Sequence, residues 1–367
     1  MSLRNDWFEE IGDALRLPDV IAERCVHSQM ELASCRHCVE SCPLDAWVID
    51  DEQLGIDANR CDGCGLCVPA CPQQAIVQEQ FPAEREWQGR SIAMLICEHA
   101  GDRATEDVPS GDTEQARVRC LHAFGIYDVL RLYRNGVRHW MVCHGDCAQC
   151  PRQISADLER TIRRINRLLK SRGLPRIAYS SLPLGQWRGA MLKTGRWACG
   201  PQFGRRGFFG SLLAQGADRV VRHQQGAEAE AEQTPAPGRF LPLPPTGEAA
   251  LYFHVPHILA DACNGCDACT RLCPQQALTY NEKAGAYVIH ANDCNGCGIC
   301  VDACDQDAIV VNAWEERQES VETLSLRDAK CSVCGCAYHR PRAQQDDGLC
   351  AICSQVNHHR NLFQVLS

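Results

Sequence analysis

The chain has 367 residues, a formal net charge of −9 and a pI near 5.8. This length allows two to four domains, and the acidic balance argues against a nucleic-acid partner, which would require a basic surface. The 27 cysteines would form disulfides only in an oxidising compartment, and residues 1–12 lack the basic and apolar regions of a signal peptide. Because no apolar run is long enough to span a bilayer, we expect a cytoplasmic chain whose thiols bind metal.

Residues 1–24 are expected to form an N-terminal helical segment, and four related cysteine motifs follow it in two pairs. Three of the motifs superpose without gaps and the last is degenerate: residues 61–76, 263–278, 294–309 and 34–47. In this C-x2-C-x2-C-x3-C-P spacing, three cysteines of one motif and the fourth cysteine of its neighbour bind each [4Fe–4S] cluster. The motifs therefore predict ferredoxin-like domains at residues 25–85 and 251–314, with four [4Fe–4S] clusters in all.

The pairing of the motifs assigns four ligands to each predicted cluster. In the first domain the two sets are Cys25, Cys35, Cys38 and Cys71, and Cys61, Cys64, Cys67 and Cys42. In the second domain they are Cys263, Cys266, Cys269 and Cys304, and Cys294, Cys297, Cys300 and Cys273. Cys25 is the irregular member, since nine residues separate it from Cys35, and His27 is the alternative ligand. Zinc knuckles would not need four-cysteine runs closed by proline, so clusters are favoured over zinc.

These motifs resemble the two-cluster bacterial ferredoxins over residues 20–80 and 255–312. The resemblance implies one-electron transfer at low potential along a chain of clusters.

Residues 88–182, between the two pairs, have the pattern of a small parallel α/β domain. Apolar runs at 91–97 and 137–143 and the segment "RIAYSS" predict strands, and the apolar spacing at 123–136 and 156–175 predicts helices. Four cysteines lie at or just beyond the predicted carboxyl ends of strands, where open α/β sheets bind ligands: Cys97, Cys120, Cys143 and Cys147.

The segments "LICEHAG" and "VRCLHAFGIYDVLRLYRNGVRHWMVCHGDC" resemble the delta-subunit family of methyl-viologen-reducing hydrogenases. The resemblance implies that Cys97, Cys120, Cys143 and Cys147 bind a [2Fe–2S] cluster. It also implies redox protein partners, namely a hydrogenase, a formate dehydrogenase or a heterodisulfide-reductase-like flavoprotein. The chain departs from the family where "CHGDC" has three residues between its cysteines, and Cys150 could replace Cys143 or Cys147. A zinc site at Cys143, Cys147 and Cys150, a redox-active dithiol and buried structural cysteines remain alternatives.

The rest of the chain is predicted to hold a linker and a small metal-binding domain. Residues 183–250 read as a linker and docking segment, in which "GFFGSLL" would dock on a partner or a membrane surface or pack in a core. Residues 326–360 carry a C-x2-C-x15-C-x2-C pattern typical of a zinc ribbon, formed by Cys331, Cys334, Cys350 and Cys353. A rubredoxin-type iron is the alternative, which Ser354 disfavours. Three cysteines receive no ligand role: Cys150, Cys199 and Cys336.

Together these features predict an α+β multidomain chain. Two ferredoxin-like modules flank a small parallel α/β domain, and a zinc-ribbon-like knuckle domain closes the chain. The expected function is a multi-cluster iron–sulfur electron-transfer subunit that is not catalytic alone. An iron–sulfur reductase acting on a small molecule at the central cysteines and a maturation factor for a metalloenzyme are the alternatives.

Overall fold

The computed structural model describes most of the chain. The described ranges are 17–49, 54–78, 80–100, 116–152, 157–196, 234–245, 247–345 and 347–355. Cys199 and the "GFFGSLL" segment lie outside them. In the part of the chain that is described, no helix has the length and apolar character needed to cross a membrane.

The first module is built from short elements around its cysteines. Its strands are β1 (Asp19–Val20), β2 (Trp47–Ile49), β3 (Leu54–Ile56) and β4 (Ile76–Val77), and its helices are α1 (Val26–Gln29), α2 (His37–Glu40) and α3 (Cys67–Ala70). β1 pairs antiparallel with β4, and β2 pairs antiparallel with β3. Residues 1–16 of the predicted N-terminal helical segment lie outside the described ranges, and in its remainder Asp19–Val20 form β1 and Ala22–Arg24 form a 3-10 turn.

A mixed sheet of six strands forms the central domain. Its strands are β5 (Ala83–Trp87), β6 (Arg90–Cys97), β7 (Arg117–Val118), β8 (His139–Cys143), β9 (Ala178–Ser181) and β10 (Gly195–Arg196). Its helices are α4 (Ile126–Arg134), α5 (Leu158–Ser171) and α6 (Leu184–Lys193). The order is β10-β5-β6-β8-β9, in which β6, β8 and β9 run parallel, β7 lies parallel beside β6, and β5 and β10 are antiparallel.

The central domain extends further than predicted at both ends. β5 belongs to the central sheet, although the sequence placed residues 83–85 in the first ferredoxin domain. α6 and β10 fall inside the predicted linker, but Trp187 and Met191 are buried against one face of the sheet. On the other side of the gap, Leu241 joins the main core together with α4 and α5. The two ends of the predicted 183–250 linker are therefore packed structure.

The second module and the C-terminal cysteines share one sheet. The strands are β11 (Ala250–Ile258), β12 (Leu278–Asn281), β13 (Ala286–His290), β14 (Ile309–Arg317), β15 (Val321–Lys330) and β16 (Ala337–Pro341), and the helices are α7 (Ala268–Leu272), α8 (Ile299–Asp302) and α9 (Ala351–Gln355). β11 pairs with β14, and the larger sheet has the order β12-β13-β15-β16. The β15–β16 hairpin, which carries the first pair of C-terminal cysteines, thus continues the ferredoxin sheet and is not a separate layer.

Candidate metal centres

The fourth cysteine of every ferredoxin motif has the same backbone environment. Its Sγ accepts a hydrogen bond of 3.2–3.3 Å from the N–H of the alanine four residues later. The pairs are Ala46 to Cys42, Ala75 to Cys71, Ala277 to Cys273 and Ala308 to Cys304. Such N–H donors stabilise negative charge on sulfur and are among the factors that set cluster potentials. The degenerate first motif keeps this feature at Cys42.

The thiol of Cys25 lies with the other cysteines of its predicted set. Burial, together with the neighbouring thiols of Cys35, Cys71 and Cys25 itself, raises the pKa of Cys38 to about 12. Such a thiol would be protonated at neutral pH without iron, so that cluster binding would release its proton. His27 is placed differently, because its Nε2 lies 2.7 Å from the carbonyl oxygen of Cys35 and forms a hydrogen bond there. The structure therefore favours Cys25 over His27.

Replacement of Cys25 by alanine should remove one [4Fe–4S] cluster, which is about four irons per chain. His27→Ala is the matched control, and it should keep the full iron content because only a hydrogen bond to a carbonyl is lost. Anaerobic iron quantification of both variants decides between the two ligands. Iron loss from His27→Ala but not from Cys25→Ala would reverse the assignment.

The β15–β16 hairpin packs against the loop that carries Cys263 and Cys266 in the second module. Tyr287 Oη donates to Asp267 Oδ1 at 2.8 Å, and His339 Nε2 lies 2.8 Å from the same oxygen. Gln344 Nε2 donates to the carbonyls of Ala260 and Cys263 at 2.6 and 2.8 Å. Gly265, between Cys263 and Cys266, has φ +75° and faces the backbone of His339 so closely that a Cβ would overlap the carbonyl of His339.

Gly265→Ala should consequently detach the hairpin or distort the loop, whereas Gly298→Ala should not. Gly298 has a similar φ of +81° but open space around its missing Cβ, so alanine there adds only left-handed strain of about 1–2 kcal/mol. Comparison of the two variants separates the effect of left-handed backbone strain from the effect of steric overlap with His339. Iron content and thermal stability of the two loaded variants are the measurements, and equal losses in both would contradict the importance of the hairpin contact.

The two ferredoxin modules touch through residues that neighbour their cysteines. Asn295, which is 3 % exposed, donates from Nδ2 to Pro72 O and to Gln73 Oε1, both at 3.0 Å. Asp302 accepts hydrogen bonds from the N–H and the hydroxyl of Ser34 at 2.8 and 2.7 Å. Tyr127 Oη of the central domain donates to the same Pro72 carbonyl at 3.0 Å. Sequence reasoning missed these contacts because each residue has an ordinary local role in its motif.

The central domain is joined to the first module by Arg152. Its guanidinium donates to Asp62 Oδ2 at 2.6 Å, to Glu98 Oε1 at 2.5 Å and to Arg119 O at 2.8 Å. Burial opposes ionisation of Asp62, but the hydrogen bond and charge of Arg152 outweigh it and lower the pKa of Asp62. Asp62, Glu98 and Arg119 each stand beside a cysteine in the sequence. No local sequence pattern indicates these contacts of Arg152 with Asp62, Glu98 and Arg119, which we call the clasp.

The central cysteines line a small cavity at the carboxyl edge of β6, but one predicted ligand is missing from it. Its lining includes Cys97, Cys120, Cys147 and Cys150. Cys143 instead packs with Ile96 and Trp187 on the other face of the sheet. Of the four cysteines predicted for the central site, the cavity thus brings together Cys97, Cys120 and Cys147, and Cys143 lies on a strand position that faces the other side of the sheet.

The C-terminal cysteines form a compact tetrad. The Sγ atoms of Cys331, Cys334, Cys350 and Cys353 lie within 4.8 Å of one another, and in the described part of the chain they are the only group of three or more potential ligands that does so. Backbone N–H groups of Cys334 and Cys350 lower the pKa of the Cys331 thiol. The first pair lies on a hairpin turn with Gly335 at φ +74°, whereas Cys353 lies in α9. Cys350 directly precedes this helix, so the second pair of cysteines lies at a helix end.

Two segments of the chain match family models described as 4Fe-4S dicluster domains, at residues 33–84 and 262–308. A ferredoxin of Alicyclobacillus acidocaldarius subsp. acidocaldarius is 39% identical over 69 residues, which are 19% of this chain and 82% of that protein. The chain belongs to the 4Fe-4S dicluster ferredoxin family. The protein named ferredoxin 7Fe from Hydrogenibacillus schlegelii is 41% identical over 68 residues, 18% of this chain and 80% of its own length.

A further relative of this dicluster ferredoxin is named as part of a larger enzyme. The thiosulfate reductase electron transfer subunit PhsB of Salmonella typhi is 34% identical over 71 residues, which are 18% of this chain and 37% of PhsB. These matches confirm the ferredoxin-like domains, their 4Fe-4S clusters and an iron–sulfur electron-transfer role. The central cysteines and the cysteine tetrad lie outside both matched segments.

Proposed function

We propose that this ferredoxin is the electron-transfer subunit of an oxidoreductase complex, with four [4Fe–4S] clusters and one central [2Fe–2S] cluster in a single line. When bound, the clusters supply one-electron transfer along that line. The observation that carries the proposal is that residues adjacent to one set of cysteines contact residues adjacent to the next set. These contacts support a fixed order of the five proposed sites.

The line begins at the central cysteines. Arg152 ties Glu98, next to Cys97, to Asp62, next to Cys61. Cys64, Leu66 and Cys120 pack together at the same contact. The set of Cys42, Cys61, Cys64 and Cys67 is therefore the neighbour of the central site, and the set of Cys25, Cys35, Cys38 and Cys71 follows within the same core.

The line continues into the second module at Pro72 and Asn295. Because Pro72 follows Cys71 and Asn295 follows Cys294, the sets that face each other are Cys25, Cys35, Cys38 and Cys71, and Cys273, Cys294, Cys297 and Cys300. The last set, Cys263, Cys266, Cys269 and Cys304, lies under the β15–β16 hairpin. Cys266 of this set is exposed, and the turn at residues 144–149 beside the central site is also largely exposed.

The exposed central end suits docking of a redox partner. The resemblance of this domain to hydrogenase delta subunits favours a hydrogenase, a formate dehydrogenase or a heterodisulfide-reductase-like flavoprotein as that partner. The name of PhsB independently favours a reductase complex. Anaerobic affinity purification of the full chain, with mass spectrometry of bound proteins, tests this part, and recovery of no redox protein would count against it.

Iron content tests the cluster count. Four [4Fe–4S] clusters require about 16 irons per chain, and a central [2Fe–2S] cluster raises the total to about 18. Fewer than about 12 irons in anaerobically purified protein would overturn the four-cluster proposal. Stepwise reductive titration should then show more than one type of reduced cluster.

The cysteine tetrad is proposed to hold one zinc ion. A tetrahedral site with Zn–S distances near 2.3 Å places its sulfurs about 3.8 Å apart, which the compact tetrad can accommodate. Metal analysis should give about one zinc per chain. Cys350→Ser should lose that zinc while the iron content stays. A visible iron–tetrathiolate spectrum in place of zinc would establish the rubredoxin-type alternative.

A cleft of about 720 Å³ between the first module and α5 supports a second candidate function, reduction of a small molecule. Its walls include Cys42, His122 and Arg160, and its volume is within the range of ligand sites. A bulky Thr161→Trp side chain would fill part of the cleft and should reduce turnover if a substrate binds there. Unchanged electron transfer to the partner would then assign the cleft no role in the relay.

A further inference from the structure

We propose that the ligands of the central site are Cys97, Cys120, Cys147 and Cys150, and that Cys143 is a structural core residue. The assignment rests on the proposed iron–sulfur role of this site and names the side chains that would carry it. It differs from the ligand set that the family resemblance implies by exchanging Cys143 for Cys150. Two features of the structure support this exchange, and a third supports iron binding by the cavity cysteines.

The first feature is the register of the sheet. Ile96 of β6 is the direct partner of Cys143 in the parallel ladder to β8. Residues paired in this way project to the same face, and the next residue along each strand projects to the other face. Ile96 and Cys143 accordingly share one apolar core, and Cys97 packs against the core on the opposite face. The Cys143 side chain therefore starts on the face of the sheet opposite to that of Cys97.

The second feature is the turn that follows β8. Residues Cys147–Gln149 form a single 3-10 turn, and the N–H of Cys150 donates to the carbonyl of Cys147 at 3.3 Å. Side chains three residues apart in such a turn are stacked on one side, so Cys147 and Cys150 project together. Asp146 Oδ1 caps the turn by accepting from the Ala148 N–H at 2.9 Å.

Gly145 holds this turn close to the residues after β6. A Cβ at Gly145 would overlap the carbonyl of His99, so only glycine permits the approach. Both cysteines of the turn consequently face the same cavity as Cys97 and Cys120. The shortened "CHGDC" segment is therefore compensated by Cys150, one 3-10 turn further along the chain.

The third feature is a set of N–H donors aimed at the cavity sulfurs. The Leu158 N–H donates to His122 Nδ1 at 3.0 Å, which leaves the proton on Nε2, 3.6 Å from Cys147 Sγ. The His99 N–H donates to Cys97 Sγ at 3.4 Å. Donors of this kind stabilise thiolates that bind iron.

The spacing of the four sulfurs favours a cluster over a single ion. A mononuclear zinc site needs sulfurs about 3.8 Å apart. The C-terminal tetrad is compact enough for that, but the central cysteines do not form such a compact group in the described structure. The same is true of the ferredoxin cysteine sets, which bind 4Fe-4S clusters in the matched family. The central cysteines thus resemble the cluster sites in this respect and differ from the tetrad.

The test compares Cys150→Ala with Cys143→Ala and Cys143→Val in the full, cluster-loaded chain. After reduction, electron paramagnetic resonance should show a slowly relaxing [2Fe–2S] signal that persists at temperatures at which the [4Fe–4S] signals have broadened. Cys150→Ala should lose this signal and about two irons, with the [4Fe–4S] signals intact. Both Cys143 variants should keep it, and valine additionally fills the buried space.

Several results would overturn the assignment. One is a retained signal in Cys150→Ala. Another is loss of the signal in Cys143→Val while the [4Fe–4S] signals persist, since those signals show that the protein has folded. If both Cys143 variants fail to fold, Cys150→Ala alone decides. Absence of the slowly relaxing signal from the unaltered protein would instead refute the proposed central cluster, which keeps the two failures distinct.

Discussion

Replacement of Asn295 by aspartate is expected to separate the two ferredoxin modules while each keeps its cysteines in place. The Asn295 side chain has two roles, because Oδ1 accepts the Cys297 N–H at 3.2 Å and Nδ2 reaches Pro72 and Gln73 of the first module. Aspartate preserves the acceptor and removes the donor. The first module itself shows that aspartate serves in the local role, since Asp62 Oδ1 accepts the Cys64 N–H at 3.0 Å.

The expected penalty is large because the new carboxylate would be buried. At 3 % exposure it would face two oxygen acceptors with no donor between them, which we expect to destabilise the module contact by about 3 kcal/mol. Cluster–cluster magnetic coupling between the modules should weaken, as measured by electron paramagnetic resonance of the fully reduced protein. Denaturant midpoints for loss of cluster absorbance would report the change in stability.

Asn264→Asp is the matched control for this experiment. Asn264 occupies the same place in its own motif, where Oδ1 accepts the Cys266 N–H at 3.2 Å, and Cys266 is exposed. Its replacement should leave both the coupling and the stability close to those of the unaltered chain. Comparable effects of the two substitutions would show that the local turn matters and the inter-module contact does not.

The contrast between these two asparagines shows what the sequence could predict. The repeated C-N-G-C spacing is local, so the motifs and their cysteines could be read directly. Cys25 could be assigned by elimination because the degenerate motif lacked one thiol. The contact of Asn295 with Pro72 joins residues more than two hundred positions apart, and no local pattern encodes it.

Cys143 and α6 show a second kind of limit. The alternation of faces within β8 is readable, but the register of β8 against β6 depends on packing of the whole sheet, so Cys143 was placed with Cys97. α6 offers only Trp187 and Met191 as buried positions, and it lies beside a segment rich in glycine and proline. The few apolar residues of α6 were therefore assigned to the predicted linker.

The second large effect is expected for Arg152→Met, which removes the clasp between the central domain and the first module. The Arg152 side chain is 6 % exposed, and its loss would leave the carboxylates of Asp62 and Glu98 facing each other without a cation. Removal of one partner from a buried ion pair costs about 3–5 kcal/mol. Because these carboxylates keep about 30 % exposure, we expect about 3 kcal/mol, the low end of that range.

An exposed ion pair in the same domain provides the control. Arg163 lies 3.7 Å from Glu159 on the surface of α5, and Arg163→Met should change stability by no more than about 0.5 kcal/mol. Adding Asp62→Asn to Arg152→Met should restore part of the loss, because one of the two unpaired charges disappears. Anaerobic denaturant midpoints of the four proteins are the measurement. Equal effects of Arg152→Met and Arg163→Met would mean that the packed thiols of Cys64 and Cys120, and not the clasp, hold the central site against the first module.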